Sequence, residues 1–152
     1  MMHTRITLLF IASCAIATGA TAQNNADVPA TVTCPAAADV SNARLFGSWQ
    51  AQVDAGPGSP PRQATLTLVR NPELSESLGG TITRDGARAL VAGDVDNGVF
   101  TLEESIDGNT ITATWTGQIV EGSCGREIRG VWKNVPDPTE HGFILRKQAG
   151  WQ

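Results

Sequence analysis

The sequence has little of what nucleic-acid and membrane proteins need. Its 11 lysines and arginines are scattered among 15 acidic residues and form no basic run, so nucleic acid is not an expected partner. No cationic amphipathic stretch indicates binding to a membrane surface. No apolar run is long enough to form a transmembrane helix. We therefore expect no nucleic-acid partner and no transmembrane segment.

Residues 1–22 have the three-part layout of a secretory signal. A basic start at Arg5 precedes the apolar run ITLLFIASCAIA, and small residues up to Ala22 allow cleavage before Gln23. The same segment contains IASC, which is typical of a bacterial lipoprotein signal with Cys14 as the lipidated residue. We expect a periplasmic or secreted protein, and a lipoprotein anchored through Cys14 is the alternative.

The cysteine count predicts one disulfide. Cleavage after Ala22 would remove Cys14 and leave Cys34 and Cys124. An even number of cysteines in an exported chain favours a disulfide between them. The bond would close a loop of about 90 residues and contribute roughly 4–5 kcal/mol. It would fasten an irregular N-terminal lead, residues 23–44, to the tip of a hairpin.

Residues that carry catalysis or bind metals are scarce. His141 is the only histidine left after the signal, and its Pro-rich surroundings predict a solvated loop. Two cysteines and one histidine are too few for a zinc site. Glu103 and Glu104 are adjacent, so on a strand they face opposite ways and form no paired-carboxylate site. No nucleophile elbow or phosphate loop is present. We expect no enzyme activity, no metal and no cofactor.

Residues 45–148 predict one all-β domain. Eight short segments, among them RQATLTLV and GFILRK, are separated by Asp-Gly, Asn-Gly and Gly-rich turns, which supply the positive φ of hairpins. No window of about 11 residues has a helical stripe. Successive hairpins make an antiparallel up-and-down meander, and eight strands can close into a barrel that has no sheet edges. A two-sheet sandwich is the alternative.

Three tryptophans are predicted to point into the barrel. Because side chains alternate across a strand, Trp49, Trp115 and Trp132 share their faces with small and aliphatic residues. On the sixth strand that face consists of Ile111, Ala113, Trp115, Gly117 and Ile119. Two interpretations remain open. The rings either fill the barrel or line a cavity at one mouth.

Several segments resemble the avidin and streptavidin family. They are GSWQAQ on the first strand, LGGTIT on the third, TWTGQIVEG followed by REIRGVW, and the closing GFILRK. The similarity covers most of residues 45–147 in strand order, although Gly-x-Trp on a first strand is also common in lipocalin-like barrels. The resemblance implies a secreted eight-stranded barrel that binds a small molecule, biotin in that family, at one mouth. The family often forms tetramers.

The inward tryptophans match that family, but its polar biotin contacts are not matched. Ala51 stands in place of an Asn, Ile82 in place of a Tyr, Ile111 and Ala113 in place of two hydroxyl residues, and His141 near an Asp. A buried ureido group would lose hydrogen bonds worth about 1–3 kcal/mol each. The Trp that a neighbouring subunit lends to the pocket has no match in KNVPDPTEH. High-affinity biotin binding is not expected, and a homo-oligomer is not supported.

Two functions of different classes remain. The first is an exported binding protein that holds a small, mainly apolar ligand at one barrel mouth. Its expected ligand-binding residues are Trp49, Ala51, Ile82, Ile111, Ala113, Trp115, Trp132 and Phe143. The second is a disulfide-stapled barrel that contacts a protein partner, such as an enzyme or protease that it inhibits, through loops 54–62 and 134–141. A filled interior would favour the second. A structural lipoprotein anchored through Cys14 is a third.

Biotin is expected to leave the melting temperature of the protein unchanged. The reason is that Ala51, Ile82 and Ile111 replace polar contacts of the family. A ligand at about 1,000 times its dissociation constant would stabilise the fold by about 4 kcal/mol. Thermal unfolding with and without biotin measures the difference, and a clear upward shift would contradict this interpretation of the three positions.

Overall fold

A computed structural model describes residues 33–137 and 139–150. The strands are β1 (Gly47–Val53), β2 (Arg62–Arg70), β3 (Leu78–Arg84), β4 (Ala87–Asp96), β5 (Val99–Ser105), β6 (Ile111–Ile119), β7 (Glu127–Asn134) and β8 (Glu140–Lys147). They close into one barrel in which β8 pairs with β1 and all neighbours are antiparallel. The predicted up-and-down barrel is confirmed and the sandwich alternative is wrong. The predicted signal segment and Cys14 lie outside the described residues.

Tight turns join the strands at the predicted Asp-Gly and Asn-Gly pairs. Asp85 and Gly86 have φ values of 51° and 78°, and Asn97 and Gly98 have φ values of 48° and 79°. Two consecutive positive φ values match the right-handed twist of a hairpin, and Asn, Asp and Gly adopt them most readily. These turns therefore position β3 against β4 and β4 against β5.

Inward side chains fill the barrel, so the interpretation of a deep cavity among the tryptophans is not supported and the filled interior counts in favour of contact with a protein partner. The three predicted inward tryptophans, Trp49, Trp115 and Trp132, are 0%, 1% and 4% exposed, which confirms their orientation. The Trp115 ring packs edge-on against Phe143, with centroids 4.8 Å apart. Gly117 is needed beside them, because a Cβ there would lie 2.9 Å from Cζ of Phe143. The rings therefore pack closely against one another in this part of the barrel.

The N-terminal segment covers one end of the barrel, which we call the closed end. It contains a 3₁₀ turn (Ala37–Asp39) and a one-turn helix α1 (Asn42–Leu45). Leu45, the first residue of the predicted all-β domain, ends α1 and is fully buried. Its carbonyl oxygen accepts a hydrogen bond from Trp49 Nε1 at 2.8 Å.

In the described part of the chain no helix has the length and apolar character to cross a membrane.

A disulfide between Cys34 and Cys124 holds this segment in place, as predicted. The two Cα atoms are 4.7 Å apart, within the range that a disulfide spans. Cys124 lies in the turn between β6 and β7, and its carbonyl oxygen accepts a hydrogen bond from Nε of Arg44 at 2.8 Å. The bond therefore ties the N-terminal segment to a hairpin at the closed end.

β6 departs from regular alternation at its first residues. Glu104 of β5 pairs with Ala113, but the next residue, Ser105, pairs with Ile111, so Thr112 is an extra residue in the ladder. A bulge of this kind reverses the faces on its two sides. Ile111 is consequently 41% exposed. The prediction that Ile111 faces the interior with Ala113 is wrong for this reason.

Replacing both disulfide cysteines, C34S/C124S, is expected to lower the free energy of unfolding by about 4 kcal/mol. The loop of 90 residues then loses its constraint in the unfolded chain. Guanidinium unfolding of the oxidised wild type and of the variant measures the change. The reduced wild type is the matched control and should unfold like the variant. Equal stability of the variant and the oxidised wild type would contradict a stabilising role.

Candidate functional site

Three strands become charged on their inward face towards the end opposite the closed end, which we call the mouth. In β2, β3 and β5 that face runs from aliphatic residues to a charged residue at the inward position nearest the mouth. These positions are Leu66, Ala64 and Arg62 in β2, Ile82 and Arg84 in β3, and Leu102 and Glu104 in β5. Period-two alternation thus delivers three charged side chains to the inside of one barrel end.

Glu104 is the one charged side chain that is buried among the described residues, with 2% of its surface exposed. Its neighbour Glu103 faces solvent, as the strand alternation predicts. An ionised carboxylate in an apolar interior is very unfavourable unless it is paired and hydrogen-bonded. The partners of Glu104 therefore determine whether this part of the barrel is stable.

Four N–H groups converge on the Glu104 carboxylate. Nη1 and Nη2 of Arg84 donate to Oε1 and Oε2, both at 3.1 Å. Nε1 of Trp115 and Nε1 of Trp132 donate to Oε1 at 2.7 and 3.1 Å. A bidentate arginine pair is a strong charge-assisted interaction, and the carboxylate also satisfies two indole N–H groups that would otherwise be unpaired. We call these four residues the Glu104 network.

Trp132 is also in contact with two cations and a histidine. The guanidinium carbons of Arg84 and Arg62 lie 4.8 and 5.3 Å from its ring centroid. The His141 ring is tilted against the Trp132 ring, with centroids 5.5 Å apart. Nδ1 of His141 lies 3.0 Å from the carbonyl oxygen of Asp54, which can only accept a hydrogen bond. His141 is the second residue of β8 and is half-buried, so the prediction of a solvated loop histidine is wrong.

A recess of about 230 Å³ opens at the mouth beside the Glu104 network. Ile82, Ala87 and Ala89 contribute apolar surface to it. Its charged lining residues are Arg84, Asp85, Arg88 and Glu104. The volume is below the range of about 300–1,000 Å³ that is usual for drug-sized ligands. The recess is therefore suited to a small molecule that presents both an apolar surface and a polar group.

Two loops at the mouth are fixed by aspartates. In the loop between β5 and β6, the backbone N–H groups of Thr110 and Asn109 hold the pKa of Asp107 well below its usual value. In the loop between β7 and β8, the backbone N–H of Thr139 lowers the pKa of Asp137. Both shifts reflect hydrogen bonds from backbone N–H groups to the carboxylates, and these bonds keep the turns in shape.

The eight residues predicted to bind ligand do not form one site. Ile82 lines the recess, and Trp115 and Trp132 contact its floor through Glu104. Of the others, Ala113 and Phe143 are buried in the core, Trp49 and Ala51 are buried with Trp49 bonded to the closed end, and Ile111 is exposed on the outer wall. Only the residues around Ile82, Trp115 and Trp132 are brought together at the mouth.

Sequence reasoning missed Arg62, Arg84 and Glu104. The available signal was the phase of alternation, because each charged residue falls on the same strand face as the aliphatic residues of its strand. A charged residue on an inward face at a strand end indicates either a frayed end or a buried polar site. The structure places all three in contact with Trp132 or the Glu104 network.

A second concave surface lies on the outer wall and measures about 560 Å³. Gly79 and Gly80 of β3 contribute to it, and around them Val69, Leu90 and Ile111 are 47%, 51% and 41% exposed. We call this surface the outer groove. Exposed apolar residues gathered in one concave surface are typical of contact sites.

E104A is expected to lower the free energy of unfolding by about 3–5 kcal/mol. The change leaves the guanidinium of Arg84 and two indole N–H groups without their acceptor. E103A is the matched control, since Glu103 is adjacent but exposed, and it should change stability by less than about 0.5 kcal/mol. Urea unfolding of both variants makes the comparison. Equal losses in the two would contradict a stabilising role of the network.

The chain matches no family model and no curated protein sequence. The resemblance to the avidin and streptavidin family therefore stays a prediction from the sequence segments that carry it. What the structure shows by itself is the closed eight-stranded barrel and the disulfide.

Proposed function

We propose that the protein is an exported binding protein that holds a small molecule in the recess at the barrel mouth. The observation that carries the proposal is the Glu104 network beside this recess. A buried ion pair is often no more stabilising than well-packed apolar residues of the same volume. A charged group inside an otherwise apolar barrel is therefore better explained by binding than by stability.

The ligand binds near the surface of the barrel and not deep inside it. Trp115 and Phe143 pack against each other in the interior, so the space is at the mouth. There, Ile82 and Ala89 offer an apolar surface, while Arg84 and Glu104 offer a donor and an acceptor. The ligand accordingly has an apolar body of modest size and at least one polar group.

Export to an oxidising compartment agrees with this function. The Cys34–Cys124 disulfide persists where thiols are not kept reduced, and residues 1–22 have the pattern of a secretory signal. A binding protein outside the cytosol meets ligands at varying dilution. The disulfide would help its barrel to stay folded when the mouth is empty.

Contact with a protein partner, including inhibition of an enzyme, is the second candidate function. The observation that favours it is the outer groove, where Val69, Leu90 and Ile111 are exposed together. Apolar patches of this kind mark protein contacts in soluble proteins. This surface differs from the loops that the sequence indicated, because it lies on the wall of the barrel.

Two alanines of β4 allow the two candidate functions to be tested separately, since Ala87 lines the recess and Ala92 lines the outer groove. Both are exposed, so tryptophan at either position should be tolerated. With N-phenyl-1-naphthylamine as an apolar fluorescent probe, A87W is expected to weaken binding about tenfold or more by filling the recess. A92W is the matched control and should leave the affinity unchanged.

The reverse result, with A92W blocking the probe and A87W having no effect, would move the binding site to the outer groove. A wild-type protein that binds no probe at saturable stoichiometry would overturn the small-molecule function and favour contact with a protein. Circular dichroism of both variants confirms that the barrel is intact in each comparison.

A further inference from the structure

Arg62 is a cation of the mouth that the Glu104 network does not use. Its Nε is buried and has no hydrogen-bond partner in the described part of the chain. None of the ion pairs found among the described residues includes Arg62. Arg84, by contrast, has both ends of its guanidinium fork bound by Glu104. Of the two arginines that contact Trp132, one is neutralised by Glu104 and the other has no acidic partner among the described residues.

The barrel brings Arg62 to this place by strand register. As the first residue of β2 it pairs with Val53 of β1, whose side chain is buried in the interior. The guanidinium of Arg62 then lies against Trp132, 5.3 Å from the ring centroid. Arg84 borders the recess and contacts the same indole. Arg62 does not itself line the recess, and it is connected to the recess through the Trp132 ring that it shares with Arg84.

The nearest acid along the strand is already engaged in its own loop. Asp54 follows Val53, and its carboxylate accepts the backbone N–H of Gly56 at 3.0 Å. A buried N–H without a partner is unfavourable, and so is a second guanidinium near Arg84. Both costs fall when an anion enters. A guanidinium binds carboxylate and phosphate oxygens through two parallel hydrogen bonds.

We propose that Arg62 binds an anionic group of the ligand, so that the ligand is a small organic anion whose apolar body occupies the recess. The inference rests on the proposed function and adds the charge of the ligand to it. Trp132 holds the guanidinium before the ligand arrives, and this preorganisation reduces the entropy that binding would otherwise lose. Carboxylate and phosphate share the required chemistry.

Two fluorescent probes that differ mainly by one sulfonate test the charge. They are 8-anilino-1-naphthalenesulfonate, whose sulfonate stands in for the anionic group, and neutral N-phenyl-1-naphthylamine. The wild type is expected to bind the anionic probe about tenfold more tightly than the neutral probe. R62Q should remove this preference and leave the affinity for the neutral probe within about twofold. R129Q, at an exposed arginine that pairs with Glu127, is the matched control and should change neither affinity.

A competition experiment on the wild type gives the same answer without a variant. Phenyl phosphate or benzoate should displace the anionic probe, and benzyl alcohol should not. Whichever anion competes at lower concentration identifies the preferred group. Displacement by benzyl alcohol at equal concentration would overturn the inference.

The failure of this inference can be told apart from the failure of the proposed function. If R62Q weakens both probes equally, Arg62 only supports Trp132, and the charge inference is overturned while small-molecule binding stands. If both probes bind the wild type equally, the charge inference is likewise overturned and small-molecule binding stands. If neither probe binds the wild type, the proposed function and the inference fail together.

Discussion

The burial of the Glu104 carboxylate is the interaction on which the mouth of this barrel depends. One acidic side chain with 2% exposure determines the positions of Arg84, Trp115 and Trp132, because each of them donates to it. Without this acid, the Arg84 guanidinium would lose its ion pair and both indole N–H groups would lose their acceptor. The polar chemistry of the mouth is thus one cooperative unit and not a set of separate contacts.

The two ends of the barrel are stabilised by different interactions. At the closed end, the N-terminal segment inserts Leu45, accepts a hydrogen bond from Trp49 and is fastened by the disulfide. Apolar burial and a covalent bond stabilise that end without any ligand. Stability gained there offsets the cost of burying charged groups at the mouth, where removal of a single partner is strongly destabilising.

Much of the fold could be predicted from the sequence, because strand alternation and turn chemistry are local signals. The eight strands and the inward tryptophans follow from them, and the disulfide follows from the even number of cysteines after the signal. Ile111 could not be placed, since the bulge at Thr112 depends on pairing with β5 and is invisible in β6 alone. Glu104 was not recognised either, because its stability inside the barrel comes from three residues on three other strands.

The Glu104 network also determines which part of Trp132 is already engaged in a hydrogen bond. Its indole N–H is already bound by the carboxylate, so the polar edge of the ring is not available for recognition. The ring instead offers its surface to Arg62, Arg84 and His141. Under the proposed function, a ligand would be recognised through the charge that the ring supports. That arrangement differs from the one that the family resemblance implies, in which a ring of polar side chains near the tryptophans holds the ureido head group of biotin.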